Sequence, residues 1–258
     1  MGSALLKGWI KQSIQPIAVI EPHPGGQLLK LAHANGVRLF NNIDDIVQSP
    51  ITACVVALKP QVLRSEAVHL RPIARSGALM ISIAAGTSIA SLRKAWGPSS
   101  IIRGMPNTPG AIGKGITALY APLSVRADSR KLAERLMSGL GETFWAKRED
   151  WIDTVTAVSG SGPAYVYLLA EALADAAREH GLPPVTADRL TRATISGAGA
   201  LLDADPRTPA ELRADVTSPG GTTEAALRVL MKNDELRELM SKAVAAARRR
   251  AQELRGEG

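Results

Sequence analysis

ACVVALKPQVLRSEAVHLRPIARSGALMISIA, residues 53–84, reads as one strand–helix–strand unit. Its outer runs, ACVVAL (53–58) and ALMISIA (78–84), are of strand length, rich in β-branched residues and apolar almost without interruption, the pattern of strands buried on both faces. Between them PQVLRSEAVHL (60–70) has helical spacing and a proline at its start. The same alternation extends outward. IAVI (17–20) and SIIRG (100–104) are further strands, while GGQLLKLAHANG (25–36) and SIASLRKAWG (88–97) are helices that end in glycine. Repeated βα units of this kind predict an α/β fold, a doubly wound parallel sheet with helices on both faces. Residues 1–150 are expected to form a dinucleotide-binding domain.

Beyond about residue 150 the pattern changes. From Pro163 to Arg255 the chain is rich in alanine and leucine at helical spacing, as in AYVYLLAEALADAAREHG (164–181), and no strand-like run occurs. An all-helical domain is expected over 151–258. GAGALL (197–202) would leave a thin core in an isolated bundle, so these helices are expected to pack against a second copy, as a homodimer or higher homo-oligomer.

Composition narrows the function. A net charge of +7 and a pI near 9.8 suit anionic partners, but the only dense basic cluster, Arg248 to Arg250, falls in the last helix, where cations complement the dipole. With 3% aromatic residues few stacking platforms exist, and nucleic acid is not expected as a partner. No apolar run reaches the roughly 18 residues of a membrane helix, so no membrane partner and a cytoplasmic location are expected. Cys54 lies within an apolar strand and reads as a small buried hydrophobe, not a nucleophile. His23, His33, His69 and His180 are isolated, and no metal site is expected.

Four segments exceed what the fold requires. MPNTPG (105–110) follows a strand and falls at the carboxyl edge of the sheet, where open α/β folds bind ligands. ALKPQ (57–61) ends a strand and enters a helix. VSGSGPAY (158–165) and DVTSPGGTTEAAL (215–227) are glycine- and hydroxyl-rich helix starts, with Pro163 at a first helical position in one and Gly221 or Thr222 near the cap of the other. A helix start with free N–H groups and no bulky side chains binds anions, and a small carboxylate is its natural occupant.

DVTSPGGTTEAAL resembles the signature of pyrroline-5-carboxylate reductases, and AVSGSGPAY, ALKPQ and MPNTP match other stretches of that family in the same order. The resemblance implies a Rossmann-type domain, a helical dimerisation domain, and reduction of 1-pyrroline-5-carboxylate to L-proline by NADP(H) or NAD(H) in the cleft between them. It implies that Ser218, Gly220, Gly221, Thr222 and Thr223 hold the substrate carboxylate. It likewise implies that Gly2, Asn42, Ala57, Lys59, Pro60, Ala84 and Ala85 line the cofactor, with Met105 and Asn107 near the nicotinamide.

The helix GPAYVYLLAEALADAAR contains no lysine, a residue that related two-domain dehydrogenases use to protonate an alkoxide; its first charged residue is Glu171. An imine that arrives protonated needs no such acid. Tyr165, Tyr167 or Thr223 could donate to the ring nitrogen, and no catalytic acid is assigned. Glu21 ends the second strand of the expected Rossmann order, where a carboxylate accepts from ribose hydroxyls and repels a 2′-phosphate, which favours NADH, while the resemblance allows NADPH. The G-x-G-x-x-G fingerprint is represented only by Gly2, in the place of its third glycine. A first strand and two further glycines ahead of Met1 are therefore expected in a longer reductase, with nucleotide affinity depending on them.

Overall fold

The computed structural model describes residues 1–46 and 49–256. By its contacts the chain divides into one unit of Met1–Ser161 together with the residues from Ala247 on, and a second unit of Gly162–Ala246.

In chain order the first unit contains α1 (Gly2–Lys11), β1 (Ala18–Ile20), α2 (Gly26–Ala34), β2 (Arg38–Phe40), β3 (Ala53–Val56), α3 (Pro60–Glu66), α4 (Arg71–Arg75), β4 (Leu79–Ser82) and α5 (Ile89–Trp96). It continues with β5 (Ile101–Met105), β6 (Gly115–Tyr120), α6 (Ala127–Met137), β7 (Gly141–Trp145) and α7 (Trp151–Val155). All four expected strands form, each within two residues of its reading at either end. Strand β4 is buried at every position, and successive side chains serve opposite cores. Met80 packs with Leu63, Leu92, Trp96 and Ile101, whereas Leu79 and Ile81 pack with Leu5, Ile102, Leu136 and Met137. Helices α3, α4 and α5 thus cover one face, and α1 and α6 the other, the double winding that the continuous apolar strands require. Helix α5 shows how the sequence achieves this. Ser88 caps its start by accepting from the Ser91 N–H at 3.1 Å, and Ile89, Leu92 and Trp96 form its buried stripe.

The expected parallel sheet is present, and two further strands extend it. β3–β4–β5 are parallel, but β6 runs antiparallel to β5, and β7 is parallel to β6. The β5–β6 connection is a short 3-10 turn (Thr108–Ile112), with no room for the crossover that a parallel neighbour demands, so the chain doubles back. Strands β1 and β2 pair in parallel as a separate two-stranded sheet. Among the described residues no strand pairs with the free edge of β1 or of β3, and most of their side chains are only half-buried.

Glycine permits two close approaches. A Cβ on Gly8 of α1 would lie 2.3 Å from the Gly139 carbonyl oxygen, and one on Gly141, at φ +129°, would lie 2.2 Å from that of Gly115. Each contact is with backbone, which has no rotamer to yield.

The second unit holds α8 (Gly162–Glu179), α9 (Pro184–Ala204), α10 (Pro209–Asp215), α11 (Thr222–Leu230) and most of α12 (Glu235–Arg255), whose last turns belong to the first unit. It contains helices only, as expected. Of the 18 residues of α8 only Ala174 is buried, while Tyr167, Leu168 and Leu169 are largely exposed. Helix α9 likewise exposes Leu190, Leu201 and Leu202. Runs of bare leucine on adjoining helices exceed the scattered apolar residues of an ordinary monomer surface.

Candidate functional site

The residues expected around the cofactor follow the strands one by one. Glu21 comes directly after β1, Asn42 after β2, Ala57 after β3, Ala84 and Ala85 after β4, and Met105 closes β5. Because β1–β2 and β3–β4–β5 are each parallel, these positions share the carboxyl edge of their own sheet. Lys59 is the N-cap of α3 and Pro60 its first residue. Gly2 opens α1, and a Cβ added there would touch the Ala57 Cβ at 3.4 Å, so the start of α1 abuts the end of β3. Small side chains at 2, 57, 84 and 85, with the N–H groups of Gly2 and Ser3 unused by the helix, fit the phosphates of a dinucleotide.

Several polar groups at this edge are already committed. Glu21 Oε1 accepts from the His23 N–H at 3.1 Å, which fixes an exposed carboxylate in the loop leading to α2. Asn42 Oδ1 accepts from the Asp45 N–H at 3.1 Å. The Asn107 Oδ1 accepts from the Ile116 N–H at 2.9 Å and thereby ties the MPNTPG loop to the start of β6. Met105 rests on Gly160, where a Cβ would come within 2.8 Å of its methyl. Burial pushes the Cys54 thiol up to about 11, which removes thiolate character at neutral pH.

Arg103 and Glu149 escaped the sequence reading. Arg103, two residues before Met105, is 2% exposed, and its Nη1 donates to Glu149 Oε1 at 2.9 Å. That same oxygen accepts the Ile89 N–H at 2.7 Å, so Glu149 neutralises a buried cation and fixes the first turn of α5 behind Ala84 and Ala85. A charged residue inside the apolar run SIIRG was the available signal.

At the second unit's candidate site, Gly221 is the N-cap of α11 and Thr222 and Thr223 form its first turn. Gly220 has φ +71°, which favours glycine there, and a Cβ on Gly221 would crowd the Ser218 oxygen at 3.0 Å. The Gly221 N–H bonds to Ser218, and the Gly220 N–H donates to Glu224 Oε2 at 2.9 Å. Arg228 lies 3.6 Å from that carboxylate. The N–H groups of Thr222 and Thr223 are orphan donors of the first turn, beside two hydroxyls. The preceding α10 is set by a capping box, in which hydrogen bonds from Thr208 hold the Glu211 carboxyl below the usual range.

The other expected helix start differs from its reading. Residues Thr156–Gly160 form a π-helical turn continuing α7, with the Ser161 N–H bonded to the Thr156 carbonyl at 2.8 Å, and Pro163 is the second residue of α8. Ser159 donates its hydroxyl to Val155 at 3.1 Å. The segment is folded into helix and is not an open anion loop.

The chain is 38% identical over 258 residues to the pyrroline-5-carboxylate reductase of Pseudomonas aeruginosa, covering 98% of this chain and 93% of that protein. It belongs to the pyrroline-5-carboxylate reductase family. The pyrroline-5-carboxylate reductase dimerisation family matches residues 149–254. Among solved structures, the Coxiella burnetii pyrroline-5-carboxylate reductase aligns over 98% of this chain and 94% of its own, with a TM-score of 0.89 and 36% identity. A Plasmodium falciparum pyrroline carboxylate reductase with NADP bound gives a TM-score of 0.82 at 27% identity, over 99% and 94% of the two chains.

Proposed function

We propose that the chain reduces 1-pyrroline-5-carboxylate to L-proline with a nicotinamide cofactor, in the cytoplasm and as a homodimer or larger homo-oligomer. The observation that carries this reading is the SPGGTT turn, whose free N–H groups and threonine hydroxyls open α11 within a chain 38% identical to such an enzyme. When bound, the reduced nicotinamide supplies the hydride. The Thr222 and Thr223 N–H groups, at the positive end of the helix dipole, hold the substrate carboxylate, with the hydroxyls of Ser218 and Thr223 alongside. Glu224 would repel that anion if bare, but the Gly220 N–H and Arg228 hold its charge in place. A protonated imine that accepts hydride at carbon becomes a secondary amine without needing a proton from the protein, so the residues act by orientation and electrostatics. Glu21, Asn42, Ala57, Lys59, Pro60, Ala84, Ala85, Met105 and Asn107 line the cofactor on this reading.

Enzymatic oxidation of NADH or NADPH is expected only when pyrroline-5-carboxylate is added, with proline formed in equal amount; oxidation without proline would refute the assignment. The fixed carboxylate of Glu21 favours NADH. Glu21→Ser is expected to shift the NADPH/NADH ratio of kcat/KM upward by roughly tenfold, equivalent to about 1.4 kcal/mol. An unchanged ratio would remove Glu21 from the ribose site.

A further inference from the structure

The last turn of α12 lies against residues that adjoin two of the loops assigned to the cofactor, and against α7. Arg64 Nη2, one turn into the helix that Lys59 and Pro60 open, donates to the Leu254 carbonyl at 2.7 Å. Gly86, which follows Ala84 and Ala85, has φ +64°, and a Cβ there would be 2.8 Å from the Leu254 Cβ and 3.2 Å from its carbonyl carbon. Arg255 Nη2 is 3.1 Å from Asp153 Oδ2, with side chains only 7% and 1% exposed. Asp153 lies one turn beyond Glu149, which holds Arg103 and the start of α5.

Three unlike contacts, a guanidinium on a helix-end carbonyl, a glycine close approach and a buried ion pair, thus converge on two residues. Gly86 tolerates no side chain because Leu254 occupies the space, and the near-complete burial of Arg255 and Asp153 makes their mutual geometry specific. None of these groups reaches the strand ends themselves. Their partners are the elements on which the cofactor loops stand.

We propose that Leu254 and Arg255 are positioning residues for the cofactor: the end of α12 clamps α3, the Ala84–Gly86 turn and α7 so that the cofactor-lining loops hold one arrangement. This rests on the cofactor placement proposed above. A dinucleotide contacting several loops at once binds best when their spacing is fixed beforehand, and loosening the clamp makes binding bear the ordering cost.

The test compares Arg255→Met, Arg255→Lys and Gly86→Ala with the parent chain. Reduced cofactor is titrated by fluorescence, KM is measured for both substrates, and thermal melting is followed. Arg255→Met and Gly86→Ala are expected to weaken cofactor binding about tenfold or more. The KM for pyrroline-5-carboxylate should change much less, and Arg255→Lys should recover most of the affinity. A double variant, Asp153→Asn with Arg255→Met, is expected to bind cofactor no worse than Arg255→Met alone, because the buried charges leave together. Lower melting temperatures with unchanged cofactor dissociation constants would overturn the clamp and leave a structural contact. Ala85→Val, which crowds the loop itself, separates the two ideas. If it weakens cofactor binding while the Arg255 variants do not, the placement stands and the clamp falls; if it leaves binding unchanged, the placement is wrong and the clamp falls with it.

Discussion

Replacing Gly141 by alanine is expected to destabilise the first unit by about 4 kcal/mol, a large part of the roughly 5–15 kcal/mol that keeps a domain folded. Two costs combine. The backbone at φ +129° excludes side chains, at about 1–3 kcal/mol, and the new methyl would enter the Gly115 carbonyl at 2.2 Å, an overlap relieved only by moving a strand, at about 1–3 kcal/mol more. Gly141 and Gly115 begin the β6–β7 ladder, so such a movement disturbs register from its first pair. Gly36→Ala is the control. It also has positive φ, at +65°, but open space around it, so only the conformational cost of about 1–2 kcal/mol applies. Equal losses in denaturant melts of the two variants would show that the close approach contributes nothing.

The second large effect is expected at the start of α11. Thr223→Val removes a hydroxyl beside the carboxylate position, and a hydrogen bond to a charged group is worth about 1.5–3 kcal/mol, roughly ten- to a hundredfold in KM for pyrroline-5-carboxylate. Gly221→Ala should act in the same direction, since its methyl would press on the Ser218 oxygen at 3.0 Å and shift the turn. The KM for the cofactor should stay nearly constant in both variants. Parallel rises in the two constants would place the substrate carboxylate elsewhere.

Much of this is legible in the sequence, for physical reasons that can be named. Strands β3, β4 and β5 are covered on both faces, so their sequences are apolar almost throughout and local inspection finds them. The α11 start is written in adjacent residues, since caps and tight turns depend on near neighbours. Strands β6 and β7 were missed because GITALY and GETFW open on glycine and gain their identity from pairing with each other and with β5. Segment 156–160 resembles a free loop in composition, yet the helix before it continues through a π turn that admits Met105 against Gly160. The pairs Arg103–Glu149 and Asp153–Arg255 join distant parts of the chain; the apolar run around Arg103 hints at its burial, but no local pattern names the partner of either arginine.

The leucines laid bare on α8 and α9 also make the catalyst answerable to mass action. If copies cover those faces by pairing, and if pairing stabilises the α11 start, activity per mole of chain must rise with chain concentration until pairing saturates, and must decay after sudden dilution. Assays over a roughly thousandfold range of enzyme concentration are expected to show this as a falling specific activity at the dilute end, with lag phases when concentrated stock is restored. Adding Thr223→Val chains, weak in substrate binding but intact in their helical surfaces, should rescue dilute parent enzyme where an unrelated carrier protein does not. Constant specific activity across the range, with a single-chain sedimentation coefficient throughout, would show that one copy suffices. Under the expected behaviour a cell could adjust flux to proline more steeply than in proportion to the amount of chain it makes.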